Sequence, residues 1–136
     1  MRFRLLGFEI KGDERGYLTA LEEKRDIPFK VRRVYYIFAT QPGVRRGFHA
    51  HRCGRQVAVC LNGSCKFLLE DGEARAEVVL DRPTQGLLLD PMIWHEMYDF
   101  SPDCILLVLA DHKYVESDYI RNYDEFIATV GRANPS

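Results

Sequence analysis

Gly43-Val44-Arg45-Arg46-Gly47-Phe48-His49-Ala50-His51, followed by Gln56-Val57-Ala58-Val59-Cys60-Leu61-Asn62-Gly63, is the stretch on which the reading of this chain turns. Successive side chains on a strand point to opposite faces, so residues two apart share one. His49 and His51 therefore point the same way, with only Ala50 between them on the other face. Two imidazoles on one surface can bind a metal or move protons near neutral pH. Gln56 to Leu61 reads as a further strand, and Asn62-Gly63 as a type I′ hairpin turn at its end.

On either side the chain continues as short strands between turn residues. Phe3–Ile10 and Tyr17–Glu22 flank a polar, glycine-bearing turn, and Asp26-Ile27-Pro28 breaks the second strand. Val31–Thr40 is rich in β-branched and aromatic residues. By parity Arg33, Tyr35 and Ile37 share one of its faces, and Val34, Tyr36 and Phe38 the other. Arginine beside tyrosine suits either a pocket for an anionic, ring-bearing ligand or a solvated outer face. After Gly63 come Cys65–Glu70, a tight Asp71-Gly72 hairpin, Ala74–Leu80, Gly86–Leu89, Met92–Tyr98 and the apolar run Cys104–Ala110. Ser117-Asp118 offers a helix N-cap, and Ile120, Tyr123, Phe126, Ile127 and Val130 then recur at helical spacing. A helix over about 117–130 is expected, ended by Gly131, with Arg132–Ser136 as a tail. The pattern is all-β: an antiparallel sandwich or barrel closed by one C-terminal helix.

Bulk properties narrow the function classes. A chain of 136 residues suits one domain over 1–136. A net charge of −1 gives no basic surface for nucleic acid, and no apolar run is long enough to span a bilayer as a helix. Charged residues arrive by Glu9 and Lys11, too soon for a signal peptide, so a cytoplasmic location is expected. Cys53, Cys60, Cys65 and Cys104 form no C-x-x-C pair, and their spacing suggests no zinc site. They read as reduced, structural residues.

The spacing around the histidines is similar to that of the cupin family of jelly-roll barrels. Gly43, His49, His51 and Gly63 fall in register with its first motif, but Gln56 stands where that motif has glutamate. In the second motif Pro91 is present, Ile93 takes the glycine position and His95 falls one residue early. A one-residue slip turns His95 to the other strand face unless a bulge corrects it. A neutral amide is a poor ligand for a divalent ion. No metal and no cofactor is therefore expected, and the histidine pair is read as acid/base machinery.

A narrower resemblance spans about Asp13 to Phe126. Asp13-Glu14-Arg15-Gly16-Tyr17-Leu18, Arg33-Val34-Tyr35-Tyr36-Ile37-Phe38, Arg46-Gly47-Phe48-His49-Ala50-His51, Gln56 with Leu61-Asn62-Gly63-Ser64-Cys65, Trp94-His95-Glu96-Met97, and Asp118-Tyr119-Ile120-Arg121-Asn122-Tyr123 carry it. In that order and spacing they resemble the sugar-nucleotide 3,4-ketoisomerases, small cupins acting on dTDP-4-keto-6-deoxy-D-glucose. The resemblance implies a homodimer with exchanged N-terminal strands, no required metal, and a role in making 3-amino-3,6-dideoxy sugars for bacterial surface glycans. It implies His49 as the base at carbon 3 and His51 as its acid/base partner, with the reverse assignment open. Arg33 and Arg46 would hold the pyrophosphate, Tyr35 would touch sugar or base, and Gln56 would bond the sugar or the histidines. Trp94 is read either as a stacking surface or as core. Arg15 and His95 occupy the regions that govern stereochemistry at carbon 4 and resemble those of galacto-forming members. The alternatives are a related sugar-nucleotide epimerase, a metal-dependent cupin and a non-catalytic sugar-binding barrel.

Overall fold

The computed structural model describes residues 3–133. Twelve strands follow in chain order: β1 (Phe3–Gly7), β2 (Lys11–Asp13), β3 (Gly16–Leu18), β4 (Arg33–Ile37), β5 (Arg46–His51), β6 (Gln56–Asn62), β7 (Cys65–Glu70), β8 (Arg75–Leu80), β9 (Gln85–Leu89), β10 (Trp94–Tyr98), β11 (Ile105–Ala110) and β12 (Tyr119–Ile120). A single helix, α1 (Tyr123–Ala133), ends the described chain. Two five-stranded antiparallel sheets, ordered β1-β9-β6-β11-β4 and β12-β5-β10-β7-β8, face each other, and β2 and β3 form a separate small hairpin. This is the all-β antiparallel arrangement expected from the strand pattern, in the jelly-roll form that the cupin resemblance implies.

Between the sheets lies an apolar core that includes Ala58, Phe67, Leu69, Leu80, Leu87 and Leu106. The odd residues of β6, Val57 and Val59, face out and pack under Phe8, Ile27 and Phe29. That cover explains why β6 is buried on both faces and reads as an unbroken apolar run. On the outer face of the other sheet, Ala50 and Trp94 pack with Ile120, Phe126 and Val130 beneath α1.

Three expectations are corrected here. Asn62-Gly63 does not close a hairpin. β6 pairs with β11 and β9, while β7 pairs with β10 and β8, so the turn carries the chain from one sheet to the other. Gly63 has φ +70°, and a Cβ there would clash with Ser101 Oγ. The Asn62 amide donates to the Asp103 carbonyl (3.0 Å), holding the corner shut.

The helix does not begin at Ser117. Glu116–Asp118 is a 3-10 turn, and Tyr119 and Ile120 pair with His51 and Ala50 as β12. Asp118 is committed to β5 and its following turn, accepting from Cys53 N–H at 2.8 Å. Asn122 caps the helix instead, its Oδ1 accepting from Glu125 N–H at 2.9 Å. The helix also runs past Gly131, so the backbone of Arg132 and Ala133 belongs to it. Residues 134–136 of the expected tail lie outside the described residues.

The N-terminal strands are shorter than read. The turn residues Lys11–Asp13 themselves pair with Gly16–Leu18. Asp13 fixes the tip by accepting from both the backbone and the guanidinium of Arg15.

Candidate active site

β5 and β10 lie side by side, and their inward faces build the site. The register places His95 directly opposite His49, then Gly47 opposite Glu96 and Arg46 opposite Met97. Phe48 is therefore an extra residue in β5, a bulge in which Gly47 (φ +92°) and Phe48 (φ +56°) both leave the extended region. The bulge has two consequences. It brings His95 against the histidine pair, at 4.4 Å between ring centroids with His49. It also reverses parity upstream, so that Arg46 lies opposite the inward Met97 and turns to the histidines' side.

All three histidines are buried. One ring nitrogen from each falls within 4.8 Å of the others. Their Nδ1 atoms are tied: His49 to the Gly47 carbonyl (3.0 Å), His51 to Asp118 Oδ2 (3.0 Å) and His95 to the Ile93 carbonyl (3.3 Å). A carbonyl or carboxylate can only accept, so each Nδ1 carries a proton and each Nε2 of a neutral ring keeps its lone pair. The Nε2 atoms of His49 and His51 are buried without a partner. Burial lowers the pKa of all three rings. For His51, burial and the neighbouring His49 outweigh the pull of Asp118 and push the value down to about 4. At neutral pH the cluster is thus a set of uncharged bases.

Tyr119, opposite His51 on β12, lays its ring 4.5 Å from His51 and 4.9 Å from His49. Its hydroxyl accepts from Arg33 Nη1 at 3.4 Å, and the Arg33 guanidinium lies 4.5 Å over the Tyr35 ring. Gln56 is buried and donates to Tyr35 Oη at 3.3 Å. Burial pushes the Tyr35 phenol up to about 12, so it stays protonated. Arg33, Tyr35, Gln56 and His95 thus lie on the same side as the histidine pair, with Asp118 bonded to His51 and the exposed Arg46 at the strand entrance on that side.

Two residues singled out from the sequence fall elsewhere. Trp94 precedes the inward His95 on β10 and so faces outward. It is buried under α1, its Nε1–H donating to Glu96 Oε2 at 2.8 Å, and is core rather than a stacking surface. Arg15 sits on the β2–β3 hairpin, its side chain 86% exposed, and pairs with Asp13 in its own strand pair rather than with the histidines. Three residues of the site were not singled out: Asp118, Tyr119, and His112, whose Nε2 lies 3.5 Å from Asp118 Oδ2. A two-residue strand is too short to show a period, and Asp118 carries the same signal as an N-cap.

The model of the FdtA family, described as WxcM-like, C-terminal, matches residues 1–131. The chain is 49% identical over 134 residues to the TDP-4-oxo-6-deoxy-alpha-D-glucose-3,4-oxoisomerase of Aneurinibacillus thermoaerophilus, covering 98% of this chain and 96% of that one. A 3,4-ketoisomerase from Helicobacter canadensis superposes with TM-score 0.94 at 44% identity, over 96% of this chain and 98% of the other. A histidine-to-asparagine variant of QdtA, a 3,4-ketoisomerase from Thermoanaerobacterium thermosaccharolyticum, solved with TDP-4-keto-6-deoxyglucose, superposes with TM-score 0.95 at 41% identity, over 98% and 97%.

Proposed function

Given that this chain belongs to the FdtA family, we infer that its histidine cluster moves the ketone of TDP-4-keto-6-deoxyglucose from carbon 4 to carbon 3. The enzyme is a sugar-nucleotide 3,4-ketoisomerase. The observation that carries the mechanism is the pair of buried, unpartnered Nε2 atoms on His49 and His51. An unpaired buried acceptor is costly unless a ligand completes it.

The carbon 4 carbonyl acidifies the proton on carbon 3. His49 Nε2 takes that proton, and the electron pair of the C–H bond forms the carbon 3–carbon 4 double bond of an enediolate. His51 moves the hydroxyl proton from the oxygen on carbon 3 to the oxygen on carbon 4. Carbon 4 then receives a proton, and the ketone is left on carbon 3. Neutral imidazoles suit both tasks, accepting at neutral pH and returning the proton within the same turnover. Asp118 and the Gly47 carbonyl stabilise the imidazolium that forms on each ring. Arg33 and Arg46 supply guanidinium forks for the pyrophosphate, while Tyr35 and Gln56 border the sugar.

Three imidazoles match the ligand count of some metal sites. Here Gln56, where the motif has glutamate, is neutral and turned onto Tyr35, the Asp118 carboxylate is taken by His51 Nδ1 and the Cys53 N–H, and the substrate's own ketone acidifies the proton to be moved. Metal-free proton chemistry is the reading these groups support.

The finer features belong to the same reading. His95 beside His49, with Arg15, favours protonation of carbon 4 to the galacto product. The chain works as a homodimer with exchanged N-terminal strands. Its exposed Val34 and Tyr36 on β4, Phe38 just beyond it, and Tyr17 and Leu18 on the hairpin, are the apolar surface such a dimer would cover. Its product feeds 3-amino-3,6-dideoxy sugars of surface glycans, made in the cytoplasm. No helix among the described residues is long and apolar enough to cross a membrane.

The test is to incubate chelator-treated enzyme with TDP-4-keto-6-deoxyglucose in deuterated buffer and follow the sugar by NMR. The expected result is a new ketone at carbon 3 and a galacto-configured carbon 4. Activity lost to chelation and restored by metal would overturn the metal-free mechanism. Deuterium at carbon 5 would indicate epimerisation, and a gluco product would remove the assigned role of Arg15 and His95.

A further inference from the structure

At the end of the barrel away from the histidines, the fold gathers three cysteines that lie far apart in sequence. Cys60 is near the end of β6, Cys65 opens β7, and Cys104 directly precedes β11. All three are buried, and their sulfurs lie within 4.8 Å of one another. Cys60 and Cys104 are 3.7 Å apart, sulfur to sulfur. The inward face of β6 carries Gln56, Ala58 and Cys60 in turn, so the thiols sit about 13 Å along the strand from Gln56 at ~3.3 Å per residue.

Three convergent sulfurs form a ligand set. An atom bound about 2.3 Å from each of three sulfurs holds them roughly 3.5–4 Å apart; the 3.7 Å between Cys60 and Cys104 matches this, and all three sulfurs lie within 4.8 Å of one another. The surroundings select the charge. Phe67, Leu80, Leu87 and Leu106 belong to the same cluster, and none carries a countercharge. A monovalent or divalent ion on three thiolates leaves net negative charge in an apolar core, which is strongly unfavourable. A trivalent centre leaves none.

We propose that Cys60, Cys65 and Cys104 form a three-thiol site for trivalent arsenic, taken up as arsenous acid. Three As–S bonds form and three As–O bonds break. Each thiol proton leaves with a hydroxyl as water, so three waters are released, no atom changes oxidation state and the product is neutral. Entry lies through the two turns that cover the sulfurs. Ser64 N–H donates to Ser101 Oγ at 2.9 Å and Ser101 N–H to the Ser64 carbonyl at 2.9 Å, so opening this end breaks a few exchangeable bonds rather than a sheet.

The test uses the full chain, reduced and freed of thiol reagent, titrated with sodium arsenite, desalted and weighed intact. A parallel sample is refolded from urea with arsenite, so slow entry cannot mimic a missing site. The expected product carries one arsenic per chain with three protons lost. When it is unfolded and alkylated, only Cys53 is labelled. Cys53→Ser retains arsenic and Cys65→Ala loses it, and the labelling pattern of the wild type stands even where Cys65→Ala fails to fold. No retained arsenic in either sample, or arsenic retained with Cys60, Cys65 or Cys104 open to alkylation, would overturn the proposal. So would stoichiometric silver or zinc binding at these thiols without arsenite binding.

Discussion

His51 owes its orientation to one carboxylate. Asp118 Oδ2 accepts from Nδ1 and Oδ1 accepts from Cys53 N–H, so the side chain bridges the His51 ring and the turn behind it. Asp118→Asn retains an acceptor but removes the charge that favours the imidazolium. A charge-assisted hydrogen bond is worth about 1.5–3 kcal/mol, so kcat should fall on the order of tenfold to a hundredfold with little change in KM. The pH profile separates this from general damage. Because the imidazole values are depressed, the wild-type acid limb lies below the usual histidine value of 6.5, and the variant moves it lower still. Stability follows the same linkage. A histidine whose folded value is lowered binds protons better unfolded, so its stabilisation is complete above about 6.5 and is lost as pH falls towards about 4. Thermal melts from pH 7 to pH 4 should show that loss, and it should be steeper in wild type than in His51→Gln. An unshifted acid limb in Asp118→Asn would show that the carboxylate does not tune His51.

At the scale of elements, the decisive feature is the bulge in β5. A Cβ on Gly47 would lie 2.8 Å from the His95 carbonyl oxygen, and the residue sits at φ +92°. The left-handed conformation alone costs a side chain about 1–2 kcal/mol. Gly47→Ala should therefore lower Tm, and it should cost turnover more than stability, because β10 must retreat and carry His95 from His49. Calorimetry and kcat on the same sample check this. A variant with wild-type turnover would show that the bulge does not set the site. The bulge also marks how far the sequence could be read. Strand alternation was legible from Val31 onward, and the His49/His51 face followed from parity alone. Counting alone left the face of His95 undecided between a slip and a bulge, since an extra residue in one strand is invisible until its partner is known. The Asn62-Gly63 corner has the composition of a hairpin, yet it joins strands of different sheets because each finds its partners elsewhere. Residues separated by 44 or 67 positions, such as Cys60 with Cys104 and His51 with Asp118, meet only through that topology.

For the whole molecule, the open question of assembly turns on Arg15. Its guanidinium stands out on a hairpin held by local bonds, with Tyr17 79% exposed beside it. Within its own chain it bonds only with Asp13 among the described residues, whereas the proposed homodimer would bring the hairpin of one chain to the histidines of the other. A cross-subunit role has a signature no single variant provides. Arg15→Ala should lower kcat/KM about tenfold or more if it meets a charged substrate, and His49→Asn should lower turnover about a hundredfold or more. Coexpression of the two variants with different tags yields a purifiable heterodimer. If Arg15 serves the partner's site, the chain with intact His49 receives intact Arg15 from its companion, and one site in two is wild type. The heterodimer should then recover about half the wild-type activity, while each homodimer stays impaired. If Arg15 serves its own chain, every site in the heterodimer carries one lesion and no recovery occurs; if it serves no site, the Arg15→Ala homodimer keeps wild-type activity. Sedimentation of the same samples reads the association directly, and a monomer that is fully active would overturn the dimeric site.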